Sequence, residues 1–67
     1  MTEREIWAVA HHVLQGRGET DGRIFICARI GELALRSDAA GVAAWTRIAR
    51  CFDAMTARQD DQAQVPH

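Results

Sequence analysis

Lysine is absent from this chain: all eight of its basic side chains are arginines. Beside the abundant alanine, that bias reads as composition. The functional alternative is arginine retained for bidentate contacts to phosphate or carboxylate. Cysteine is scarce, and two thiols, Cys27 and Cys51, exclude a disulfide framework. They are expected to be free in a reducing cytosol. No basic segment followed by an apolar run opens the chain, so no secretion signal is expected. The longest apolar stretch, 24–30, is interrupted by Arg29 and too short to span a bilayer. A cytoplasmic location follows as the expectation. A net charge of −1 leaves little for electrostatic capture of nucleic acid or an anionic membrane. Enzyme signatures are missing too. There is no phosphate-cradling glycine loop after a strand, no H-E-x-x-H, and no serine or cysteine with an evident base. No catalysis and no cofactor are expected, and Ser37 reads as a helix cap.

What is present points to helices. At 67 residues the chain is one domain, near the size where a single core is marginal. Chains this small usually rely on disulfides, a metal or a partner subunit. Thr2 and Glu5 form a capping-box pattern, with Met1 and Ile6 at the staple positions beside it. Ile6, Trp7, Val9, Ala10, Val13 and Leu14 then share one arc, and Gly16 and Gly18 follow as terminators. A first helix is predicted over about 3–15, with 16–20 as a polar link.

Thr20 or Asp21 caps a second helix over about 21–36. Ile24-Phe25-Ile26 alone would suit a strand, but the chain offers no second strand to pair with it. Helical spacing continues through Leu35, so helix prevails. This helix is apolar around most of its circumference. Ile26, Ile30 and Leu33 lie on one side; Ile24, Cys27, Ala28, Gly31 and Leu35 lie on the other, with Ala34 between. Arg29, Glu32 and Arg36 share a narrow polar arc. Such a helix is central in a larger body or shared with another chain.

Ser37-Asp38 opens a third helix over about 39–58, close enough to the second to force an antiparallel hairpin. Gly41, Trp45, Ile48, Phe52 and Met55 form one seam along it, since a helix advances about 100° per residue. Glycine on a buried seam implies a close crossing. Residues 59–67 read as a polar tail without periodicity. The expected fold is all-α: three short helices, up-down-up, in a domain spanning 1–58. The core is expected from Ile6, Trp7, Val13, Trp45, Ile48, Phe52 and Met55.

Three segments resemble a known family. They are Glu5-Ile6-Trp7-Ala8, Ala28-Arg29-Ile30-Gly31-Glu32-Leu33, and Asp38-x-x-Gly41-x-x-x-Trp45-x-x-Ile48. The pattern is similar to a family of short bacterial helical proteins of unknown function, over Thr2 to Met55. The resemblance implies a fold and brings no activity, cofactor or site residue.

Several residues invite chemical readings. His11 and His12 point about 100° apart on a helix and cannot both face one small ligand. Cys27 and Cys51 would differ in height by roughly 5 Å across the hairpin, at about 1.5 Å per residue. A site joining them to His11 nevertheless lacks the short paired spacing of structural zinc, so no metal is expected. Arg47 and Arg50 could serve a helix-turn-helix reading of nucleic acid. The near-neutral charge, Asp53 on the same half and a Glu32–Arg36 pair oppose it. Phe25 falls in the polar arc, where a monomer has no evident use for it. The expectation is a small interaction module, a homodimer or a binder of a protein partner, with Phe25, Ile26, Ile30 and Leu33 at the interface.

Overall fold

The computed structural model describes the backbone of residues 1–63 and the side chains of residues 1–58. It contains two helices, α1 (Glu3–Leu35) and α2 (Ala39–Ala63). The expected three-helix fold is therefore incorrect in its count. The predicted link at 16–20 is helical on both sides of one residue, Gly18, which stands at φ 82°, ψ 179°. That region of backbone space is essentially restricted to glycine. One such residue redirects the chain with helix directly on either side of it, so no separate loop is needed. The bend is sharp. A β-carbon built on Gly22 would stand 3.1 Å from Val13 Cγ1, whereas nine residues of straight helix rise about 13.5 Å. The two arms of α1, 3–17 and 19–35, thus come together beyond Gly18.

Both termini of the first element have a local cause. Thr2 Oγ1 accepts from the Glu5 amide at 3.2 Å, and Glu5 Oε1 accepts from the Thr2 amide at 3.2 Å. The reciprocal pair satisfies two donors that a helix start leaves unpaired. At the other end, Ser37 N–H donates to Ala34 O and Asp38 N–H to Leu33 O, both at 3.0 Å. This is the Schellman pattern, with Ser37 in the left-handed position at φ 58°. Asp38 immediately starts α2, its Oδ1 accepting from the Gly41 amide at 2.9 Å. Closing one helix and opening the next within three residues makes the second arm and α2 an antiparallel hairpin.

Gly41 explains the spacing Asp38-x-x-Gly41. A β-carbon there would meet Asp38 Oδ2 at 2.7 Å and Leu33 Cδ2 at 3.1 Å. The missing side chain leaves room for the cap and for the leucine of the opposing arm. α2 continues past Arg58, the predicted end, to Ala63. Residues 64–67 of the expected tail lie outside the described residues.

Ile6, Ala10, Val13, Ile26, Ile48 and Phe52 form the buried core, drawn from both arms of α1 and from α2. Trp45 and Met55 are half-buried against that cluster. Trp7, expected in the core, is 40 % exposed and corrects that assignment. It lies beside Ile6 at the capped end of α1, where Ile6 takes the buried direction. Across the hairpin Arg23 pairs with Asp53 and donates to Thr56 Oγ1 at 3.4 Å. Thr56, almost fully buried, donates in turn to the Asp53 carbonyl at 3.1 Å. Among the described residues, no helix is long and apolar enough to cross a membrane.

Candidate functional site

The second arm of α1 has an inside and an outside, and the chemistry of the outside is unusual. Gly22, Ile26 and Leu33 are buried, with Arg29 and Ile30 half-buried on their flanks. At about 100° per residue, the opposite direction carries Ile24, Cys27, Ala28, Gly31 and Leu35. All five are exposed, Ile24 at 63 % and Leu35 at 89 %. No charged side chain falls on this line for three turns of helix. A solvent-facing helix surface ordinarily carries the charges. Here Arg29 and Glu32 are displaced to the flank and pair with each other at 3.3 Å.

This placement corrects the expected interface. Ile26 and Leu33 are buried within the single chain, at 2 % and 7 % exposure, and Ile30 packs against the same core. α2 covers that side of the arm, so it is intramolecular core. The face left over is the other one. Its five residues were visible in the sequence as a second apolar side; spacing alone could not say which of two apolar sides the fold would consume.

Phe25 also has a use within the chain. Its ring meets Trp45 edge-on, with centroids 6.0 Å apart and planes at 75°. The Arg17 guanidinium lies 3.9 Å above the Phe25 ring centroid, and Arg29 lies 5.9 Å from that of Trp45. Edge-to-face rings and cations over ring faces are both attractive arrangements. The half-exposed aromatic pair thus has an arginine guanidinium at each end. Sequence reasoning missed this because Arg17 precedes the bend and comes near only through it.

Two concavities lie near the ends of the second arm of α1. One, of about 430 Å³, lies in the bend and is lined by Gly16, Arg17, Asp21, Ile24, Phe25 and Ala28. The other, of about 460 Å³, lies at the interhelical turn beside Ala34, Ala39, Val42 and Ala43. Among the described residues no three histidine, cysteine, aspartate or glutamate side chains come together as metal ligands. Cys27 is exposed on the outward face and Cys51 is half-buried. His11 and His12 are both exposed on the first arm of α1, and Arg47 and Arg50 are exposed on α2.

Glu5 has a displaced ionisation. Donation from the Thr2 amide, and then from its hydroxyl, holds the carboxyl below its ordinary range. This is a cap property, since hydrogen bonds to the charged form favour it.

The architecture defines a small all-helical domain: a sharply bent helix packed against a second one. The chain belongs to a family of unknown function, DUF6961, whose model matches residues 2–60. No curated protein and no solved structure matches it.

Proposed function

We propose that the protein is a small, non-catalytic interaction module that associates with a second copy of itself through the outward face of the second arm of α1. The observation that carries this reading is the uncharged line from Ile24 to Leu35, exposed where a surface helix usually places its charges. Fully burying a leucine or isoleucine side chain gives about 1.5–3 kcal/mol. Covering Ile24 and Leu35 on two copies therefore supplies a substantial drive to associate. Ala28 and Gly31 lie between them and let another helix approach closely.

A paired substitution tests it. Leu35→Glu adds a charge to an exposed position, so the chain should stay folded and become monomeric. Ile26→Glu buries a charge in the core and should unfold the chain. Circular dichroism and sedimentation equilibrium on both variants read the two effects separately. A wild-type chain that sediments as a monomer at tens of micromolar would overturn the proposal.

A further inference from the structure

The outward face carries a projection at one end and a hollow at the other. Leu35 stands 89 % exposed near the interhelical turn. Ile24 and Ala28, toward the other end, line the groove of about 430 Å³ formed where α1 bends. Gly16 forms part of its wall, and no atom lies within 4 Å of where its β-carbon would be. Leu35 is about 16 Å along the helix from Ile24, eleven residues at about 1.5 Å each. One chain cannot fill its own hollow with its own leucine.

We infer that two copies pair with these arms antiparallel, each seating Leu35 in the bend groove of the other. This arrangement rests on the self-association proposed above and adds its geometry. A two-fold axis makes such an interface self-complementary: if residue i of one copy meets j of the other, j also meets i. Antiparallel pairing sets Ile24 against Leu35 of the second copy and Ala28 against its Gly31. The two helices then approach most closely where their side chains are smallest. Parallel pairing instead opposes Leu35 to Leu35 and leaves both grooves empty.

Charge along one rim favours the same orientation. Arg17 reaches over Phe25 beside the groove, and Glu32 lies on the same flank nearer the turn. An antiparallel two-fold keeps this rim against the same rim of the other copy, with its ends exchanged. Glu32, which pairs with Arg29 of its own chain at 3.3 Å, then also lies toward Arg17 of the other copy, twice per dimer. In the parallel arrangement the rim meets the opposite flank, where Arg23 pairs with Asp53 and Glu19.

Disulfide trapping decides the orientation. Both native thiols are first replaced, Cys27→Ser and Cys51→Ser, and Ile24→Cys and Leu35→Cys are made in separate chains. Oxidation of the two mixed should give the mixed disulfide in preference to either symmetric one, since a bridge needs Cα atoms about 4.4–6.8 Å apart. As a second readout, Arg17→Glu and Glu32→Arg should each weaken the dimer about tenfold, and the double exchange should restore it. Symmetric Ile24→Cys disulfides would overturn the antiparallel arrangement while leaving self-association intact. A dimer with no trapping at either position would overturn the choice of this face. A monomeric wild-type chain would overturn the underlying reading itself.

Discussion

The backbone of Gly22 lies against the ring of Phe52, so closely that a β-carbon on it would stand 2.8 Å from the ring Cζ. Gly22 follows the bend by one turn, and Phe52 is 1 % exposed at the centre of the core. This contact brings the second arm of α1 onto α2, and with Val13 on its other side it holds both arms together. Gly22→Ala should therefore destabilise the chain. Overpacking a fixed aromatic ring costs about 1–3 kcal/mol, and the better helix propensity of alanine returns up to about 1. A net loss of about 1–2 kcal/mol in urea unfolding is expected, whereas Gly16→Ala, with open space around it, should be neutral or stabilising.

At the interhelical turn the expectation has the opposite sign. Ser37 holds φ 58°, a conformation that costs a non-glycine residue about 1–2 kcal/mol. Glycine accepts it freely but loses more chain entropy on folding. Ser37→Gly should therefore raise stability by about 0.5–1 kcal/mol. In a domain of this size, thermal unfolding would shift upward by roughly 2–8 °C.

Asp38 and Gly41 should behave as a coupled pair. Removing the cap with Asp38→Ala is expected to cost about 1 kcal/mol. Gly41→Ala alone forces the carboxylate aside and presses on Leu33, cancelling its propensity gain. With Asp38 already alanine, the same substitution meets only Leu33 and should be less harmful or stabilising. A double-mutant cycle by chemical denaturation measures this difference, and strict additivity would contradict the shared-space account.

The capping box makes a pH prediction. Glu5 is held below its ordinary pKa by Thr2, so the folded state favours its carboxylate more than the unfolded chain does. The resulting stabilisation is complete above the ordinary glutamate range and is lost as pH falls through the lowered value. Thr2→Ala removes the hydroxyl donor and keeps the amide, so the Glu5 titration, followed by NMR, should move only part of the way back toward the ordinary range. An unchanged midpoint would show that the hydroxyl contributes nothing to it.

Local signals in the sequence were legible where one element decided the outcome. The Thr2–Glu5 box, a cap at Ser37 or Asp38 (the structure uses Asp38, with Ser37 in the turn before it) and the seam of Ile48 and Phe52 all depend on neighbours within a turn or two. Two kinds of feature were not legible. Gly16-Arg17-Gly18 reads as a link because glycines usually end helices, yet a single residue at φ 82° sufficed. The candidate interface failed for a different reason. Ile26, Ile30 and Leu33 and the opposite line of Ile24 to Leu35 are equally apolar in one dimension. Only the packing of α2 against the first of these, with Phe52 beneath Gly22, left the second exposed. Arg17 over Phe25 was invisible for the same cause, since the bend alone brings them together.

Self-association through the outward face is the central claim, and sedimentation equilibrium across micromolar concentrations tests it most directly. Wild-type protein should fit a reversible dimer, and Leu35→Glu should fit a folded monomer over the same range. A wild-type chain that remains monomeric throughout, or a Leu35→Glu variant that dimerises as tightly as wild type, would contradict it.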